Sequence, residues 1–209
     1  SYFDLLGIPY TNSGAFPSAL TFNKAECNLV LQKFGIQTPQ ALFLIKSEAN
    51  EEALIAQEIG FPCFVKPCRS GSSIGVSRVA SAMELGQALK TARLVDHKIL
   101  SEKEVKGKEL ACGVSDHSGK VQALAVTHIQ PPSEWFDYQS KYSGETAEIT
   151  PAEIDAAVYQ KIMQISEEVY QILELKGLAR VDFILNHQEE PVLIEVNTVP
   201  GFSAESILP

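Results

Sequence analysis

Two groups of residues in this chain could do chemistry. The first is "KPCRSGSSIGVS", residues 66–77, where a lysine ends an apolar run and the next eleven residues hold two glycines and four serines. Successive backbone N–H groups in a glycine-containing turn point into one concavity and bind anions, and an adjacent lysine adds a point charge. The order does not match G-x-x-x-x-G-K-[ST], because Lys66 precedes the glycines, so a P-loop is excluded. Two readings stay open: a surface hairpin rich in Gly and Ser, or a lid over phosphate oxygens.

The second group lies in "LARVDFIL" and "PVLIEV", two runs that read as strands around the turn "NHQEE". Side chains alternate faces along a strand. Arg180 and Asp182 therefore share one face, with Val181, Phe183 and Leu185 on the other. Glu195 and Asn197 share a face, with Ile194 and Val196 opposite. A hairpin folded about the midpoint of residues 188 and 189 sets Asp182 against Glu195 and Arg180 against Asn197. Two carboxylates and an amide on one face repel unless a cation lies between them, and oxygen ligands beside a phosphate suit Mg²⁺. A solvated face with Arg180–Asp182 and lysine pairs is the alternative.

The elements that must carry these groups alternate along the chain. "TFNKAECNLVLQKFG" reads as a helix capped at Thr21 or Asn23 and stopped by Gly35. "ALFLIK" reads as a strand, "NEEALIAQEIG" as a helix ending at Gly60, and "FPCFVKP" as a buried strand that delivers Lys66. "GVSRV" is a further strand. "SAMELGQALKTA" opens with Ser81 and Glu84 at capping-box spacing. "HKILSEKEV" is extended, and "ELACGVS" with "VQALAVTHI" predicts a hairpin turning at "DHSGK". A polar, aromatic-bearing segment over residues 130–150 follows. A long helix is then predicted from Thr150 as cap, with Pro151 at its first position and Glu153 at its third, to Gly177. This mixture is α+β in two lobes meeting near Val105.

Composition sets outer limits. The 209 residues carry a net charge of −9, with 45% hydrophobic and 21% charged content. That is the balance of a globular protein, and the negative charge argues against a nucleic-acid or anionic-membrane surface. No apolar run reaches the ~18 residues of a membrane span. Cys27, Cys63, Cys68 and Cys112 show no C-x-x-C pair, so reduced thiols and a cytoplasmic location are expected.

The ordered set Lys66-Pro67, residues 71–75, Glu102-Lys103, Arg180-Val181-Asp182 and "EVNTVPG" resembles the ATP-grasp ligases. With "FDYQSKY" and "EVNTVPGFSAESILP" it is most similar to their D-alanine–D-alanine ligase family. The resemblance covers essentially the whole chain. It implies two α+β lobes clamping ATP: residues 21–105 as the central ATP-binding lobe and 106–209 as the C-terminal catalytic lobe, with 1–20 a remnant of a preceding α/β domain. It implies Lys24 and Lys66 on the ATP phosphates, with Gly71 and Ser73 in the lid above them. Ser72 would join a hydrogen-bonded network with Tyr142. Glu102, Lys103 and Val105 would read adenine, and Glu109 would hold the ribose. Many members carry tryptophan where this chain has Glu104, so one wall of the adenine pocket departs from the pattern.

The resemblance further implies Mg²⁺ (or Mn²⁺) on Asp182, Glu195 and Asn197, Lys141 on phosphate and Arg180 on a developing oxyanion. Gly201 and Ser206 would grip the carboxylate of a second D-alanine. The implied reaction joins two D-alanines through an acyl phosphate, for cell-wall precursor synthesis. Tyr142 in the "DYQSKY" pattern favours D-alanine over D-lactate as acceptor. Residues 135–148 resemble a mobile closing loop. Two other classes stay open: an ATP-grasp ligase for another carboxylate and nucleophile, and a nucleotide-binding module without turnover. The expected partners are ATP and D-alanine, not nucleic acid or membrane, with a homodimer for the full-length form. The opening "SYFDLLGIPYTNSG" and the closing "ESILP" suggest a chain shorter than the family's, expected to bind ATP without making dipeptide alone.

Overall fold

Two antiparallel sheets, each with one apolar face covered by helices, organise the chain. The computed structural model describes residues 2–45, 50–117, 119–130 and 147–201. The first sheet is built from β1 (Ala41–Leu44), β2 (Cys63–Pro67), β3 (Ser77–Val79) and β4 (Ile99–Lys103), in the order β1-β4-β2-β3. Its strands alternate as a half-covered sheet should: Cys63, Val65 and Pro67 are buried, while Phe64 and Lys66 turn to the other face. Helices α4 (Glu51–Glu58) and α5 (Ala82–Arg93) cover the buried face, with Ile55, Leu85 and Leu89 packed against Cys63, Val65, Val79 and Ile99.

The second sheet holds β5 (Gly107–Ser115), β6 (Gln122–Gln130), β7 (Ala147–Ile149), β8 (Leu178–Asn186) and β9 (Pro191–Asn197), in the order β7-β6-β5-β8-β9. Helix α6 (Ala156–Ile172) covers one face, and Ile162, Val169 and Tyr170 pack on Leu110, Cys112, Val126 and Phe183. The start of α6 differs from the sequence expectation. Asp155 is the cap, its Oδ1 accepting from the N–H of Ala157 at 2.8 Å and Val158 at 3.2 Å. Thr150 instead bonds Thr127 at 2.6 Å, and the Ala152 N–H donates to the Val126 carbonyl, which ties residues 150–152 to the sheet. The helix ends at Ile172, short of Gly177.

Helices α1 (Tyr2–Leu6) and most of α2 (Ala15–Phe22) lie outside the sequence expectation; α1 buries none of its residues, and α2 buries Thr21 and packs Leu20 against the second sheet's core. Helix α3 (Lys24–Lys33) begins at Asn23, whose side chain accepts from the Glu26 N–H. It packs against both sheets: Cys27 and Leu31 enter the second sheet's core, while Ala25 meets Cys68 and Leu100 of the first. Residues 104–106 join the sheets. Gly107, just beyond, lies so close to β8 that a Cβ there would come within 1.9 Å of the Leu185 carbonyl oxygen. All four cysteines are free and buried. Burial pushes the thiols of Cys27 and Cys68 up to about 12 and that of Cys112 to about 11, so they stay protonated. Among the described residues no helix is long and apolar enough to cross a membrane. The architecture is α+β.

Candidate active site

The open faces of the two sheets line one cleft of about 770 Å³. On the first sheet, Arg78, Phe64 and Glu102 sit in register across β3, β2 and β4, with Lys66 two residues along β2 from Phe64. On the second, Ile129, Glu109 and Ile184 sit in register across β6, β5 and β8. Asp182 lies opposite Glu195, and Arg180 opposite Asn197. These alternate positions share one face because the strand period is two.

Ile194 departs from the expected alternation. The register between β8 and β9 shifts after Asp182, where Phe183 pairs with Leu193, so Ile194 is the extra residue of a bulge. Ile194 lines the cleft beside Glu195 instead of joining Val196 in the core. Bulges re-aim side chains in this way, and simple alternation does not reveal them.

The charges in the cleft are paired. Arg180 Nε donates to Asp182 Oδ1 at 2.7 Å and its Nη2 to Oδ2 at 2.8 Å, a two-point bridge. Asn197 Nδ2 donates to Asp182 Oδ2 at 2.9 Å. Burial opposes the charge on Arg180, but the carboxylates of Asp182, Glu195 and Glu109 outweigh it and hold its pKa above the ordinary value. Lys24 Nζ lies 3.0 Å from Glu195 Oε1 and donates to the Ser70 carbonyl at 2.6 Å. Lys66 pairs with Glu102, which is 2% exposed and also accepts from Asn28 Nδ2 at 3.2 Å. The two facing carboxylates are therefore each neutralised by a protein cation, as the alternative of Arg180–Asp182 and lysine pairs expected, although the face lines a cleft instead of open solvent.

The glycine-rich turn enters the cleft from the end of β2. Ser72, Ser73 and Gly75 have φ of 51°, 57° and 77°. The Ile74 N–H donates to the Gly71 carbonyl and the Val76 N–H to Ser73, giving overlapping turns. A Cβ on Gly75 would come within 2.8 Å of Pro67 Cγ and 2.9 Å of Val95 Cγ2, so glycine is needed for space as well as for φ. The base of the turn is fixed by Arg69, whose Nε and Nη2 bridge Asp96 at 2.9 and 2.8 Å.

Lys24, Lys66, Gly71, Ser72, Ser73, Glu102, Lys103, Val105, Glu109, Arg180, Asp182 and Glu195 all line this cleft. Asn197 reaches it through Asp182. Gly201 follows β9 and is exposed. Lys141, Tyr142 and Ser206, with most of residues 135–148, lie outside the described residues. Sequence reasoning passed over Phe64, Arg78, Ile129, Ile184 and Ile194, which also line the cleft. Alternation from Lys66 to Phe64 and from Asp182 to Ile184 marks two of them; the others depend on pairing between distant strands.

Among the described residues no group of three or more His, Cys, Asp or Glu side chains could hold a metal by itself. Asp182, Glu195 and Asn197 nonetheless put hard oxygen donors together on one wall. Two carboxylates and an amide, completed by phosphate and water oxygens, fit Mg²⁺, provided that Asn197 turns its oxygen inward and Lys24 yields Glu195.

Residues 30–209 match the family described as D-ala D-ala ligase C-terminus. D-alanine–D-alanine ligases from Christiangramia forsetii and Flavobacterium johnsoniae are 44% and 39% identical over 209 residues. Both are covered over 100% of this chain, which spans 64% of their length. Among solved structures, D-alanyl-alanine synthetase A from Vibrio cholerae aligns with a TM-score of 0.88 and 29% identity, over 99% of this chain and 64% of that one. The VanG D-Ala:D-Ser ligase from Enterococcus faecalis aligns at 0.84 and 32% identity, over 98% of this chain and 60% of that one. With two α+β lobes around one charged cleft and a family match across most of its length, the chain belongs to the D-alanine–D-alanine ligase family, within the part that forms its C-terminal ATP-grasp fold.

Proposed function

We propose that this chain provides the ATP-binding and catalytic lobes for joining two D-alanines to D-alanyl-D-alanine, in synthesis of a cell-wall precursor. The observation that carries the reading is the meeting, in one cleft, of Lys24, Lys66 and the glycine-rich turn with Arg180, Asp182 and Glu195. Phosphoryl transfer needs in-line positioning and neutralised charge more than covalent chemistry. Backbone N–H groups of the glycine-rich turn other than that of Ile74, which is spent on Gly71, hold the ATP phosphates together with Lys24 and Lys66. Lys103 and Val105 meet the adenine and Glu109 the ribose hydroxyls. Glu102, buried under Lys66, holds that lysine in place.

In the first step a carboxylate oxygen of one D-alanine attacks the γ-phosphorus. The bond to the β–γ bridging oxygen breaks, and ADP leaves. The amine of the second D-alanine then attacks the acyl carbon, the bond to the phosphate oxygen breaks, and the amine gives up a proton as phosphate departs. Arg180 faces the oxygen that becomes negative in this step, where a fixed cation contributes most. Asp182, Glu195 and Asn197 would hold Mg²⁺, which when bound neutralises the phosphate oxygens. The family resemblance assigns Lys141 to phosphate, Tyr142 to a network with Ser72, and Gly201 and Ser206 to the second substrate's carboxylate.

Calorimetry of the chain with ATP and Mg²⁺, and phosphate release by the natural gene product with ATP and D-alanine, test the reading. D-Serine, D-lactate and L-alanine serve as competing acceptors. Saturable ATP binding with D-alanine-dependent phosphate release is expected. Release that follows another acceptor, or ATP binding with no acceptor-dependent release, overturns the assignment to D-alanine.

A further inference from the structure

Lys24 touches two parts of the cleft at once. Its Nζ lies 3.0 Å from Glu195 Oε1 on β9 and donates to the Ser70 carbonyl at 2.6 Å, at the root of the glycine-rich turn. Its backbone is tied to that root as well. The Lys24 N–H donates to the Cys68 carbonyl at 3.0 Å, and Asn23 pairs with Arg69 as an antiparallel bridge. The start of α3 is therefore fixed to the base of the turn, and it is the flexible Lys24 side chain that can change partner.

The Lys24 side chain is 10% exposed and that of Glu195 28%. An ammonium so far from water is costly without a counter-ion. Ser70 offers it a neutral carbonyl, so its charge depends on the carboxylate on the other side. Glu195 is also an oxygen donor that faces Asp182 across β8 and β9. An ammonium at hydrogen-bond distance repels a second cation brought to the same carboxylate. Lys24 and a divalent ion thus compete for Glu195. Phosphate oxygens at Lys24 remove the competition, because they give the buried ammonium another anion.

We propose that Lys24 is an exchange cation: it holds Glu195 while the cleft lacks nucleotide and yields it to the metal when phosphate oxygens take its ammonium. Lys24 is a positioning residue for Glu195 in this scheme. One side chain then makes phosphate and metal bind cooperatively, and the coupling is reciprocal. The inference rests on the ATP and Mg²⁺ parts of the ligase reading.

Mn²⁺ is the probe for the first half, with the unbound ion followed by electron paramagnetic resonance in the absence of nucleotide. Lys24→Met should bind Mn²⁺ about tenfold more tightly than the parent, because the ammonium that competes for Glu195 is gone. Lys24→Met combined with Glu195→Gln should show no gain over Glu195→Gln alone. Lys106→Met, which takes the same charge from the cleft near the linker, should leave Mn²⁺ binding unchanged. Inorganic triphosphate in EDTA, by calorimetry, tests the second half. Glu195→Gln keeps Lys24 and should bind triphosphate about threefold more tightly, whereas Glu109→Gln, which removes another cleft carboxylate, should not. Unchanged or weaker Mn²⁺ binding by Lys24→Met overturns the proposal, and so does unchanged triphosphate binding by Glu195→Gln. An equal gain in either control variant overturns it too, since net charge would then set the affinity. If Lys24→Met does not fold, the triphosphate comparison decides by itself. A parent chain that binds neither ATP with Mg²⁺ nor triphosphate overturns the ligase reading as well, whereas a parent that binds both, with variants that match it, overturns this inference alone.

Discussion

Asp182 faces Glu195 across β8 and β9, yet the two carboxylates do not depend on a shared ion: Arg180 bridges the first and Lys24 meets the second. Removing one carboxylate therefore strands a cation. Asp182→Asn should destabilise the metal-free protein by about 1–2 kcal/mol, because Arg180, mostly buried, loses a charged partner. Like-charge repulsion alone predicts the opposite sign. Urea unfolding in EDTA separates the two, and a more stable Asp182→Asn variant would show that repulsion dominates.

Lys66 and Glu102 form a deeper pair, with Asn28 as the third member. Lys66→Met leaves a nearly inaccessible carboxylate without its cation and should cost about 3 kcal/mol. Lys66→Met combined with Glu102→Gln should recover much of that loss, since no uncompensated charge remains. A double-mutant cycle measures the coupling; additive losses would mean that the pair is not coupled in solution.

Gly107 is where the second sheet begins, and its Cα lies against the β8 backbone. Gly107→Ala must push β5 away from Leu185 and should destabilise by about 3 kcal/mol, at the upper end for overpacking. Nucleotide affinity should fall with it, because Glu109 is two residues along the same strand. Thermal unfolding together with ATP titration checks both, and a stable variant with normal affinity would contradict the close approach.

Asp96 anchors the glycine-rich turn through Arg69, and those hydrogen bonds hold its carboxyl down at about 2. A carboxyl with a lowered folded pKa contributes stability above its unfolded value near 4 and loses it as pH falls toward 2. Arg69 is partly exposed, so the contribution is about 1–2 kcal/mol after screening. Asp96→Asn should lose this amount at pH 7 and show a flatter stability profile between pH 4 and 2. Parallel profiles for the two proteins would place the acid sensitivity elsewhere.

What the sequence by itself determined is local. The alternation in "RVDF" and "IEVN" was enough to predict a hairpin with Arg180 and Asp182 on one strand facing Glu195 and Asn197 on the other. The exact pairing needed the bulge: Leu185 pairs with Pro191, and without the extra residue Ile194 the same register would set Asp182 against Ile194. The position of Lys66 at the mouth of a glycine-rich turn was legible because both lie in one contiguous stretch. The Arg180–Asp182 pair, two residues apart on one strand, was open to the same reading, whereas tertiary structure alone decided which cations serve Glu195 and Glu104. Lys24 comes from a helix packed between both sheets, and Arg78 meets Glu104 only because β2 lies between β3 and β4. It also decided the bulge that turns Ile194 into the cleft, and the start of α6 at Asp155, where ties from Thr150 and Ala152 to β6 outcompete an earlier helix. Each of these is a choice between local conformations of similar energy. Contacts with segments remote in sequence tip that choice, and periodicity within one window carries no record of them.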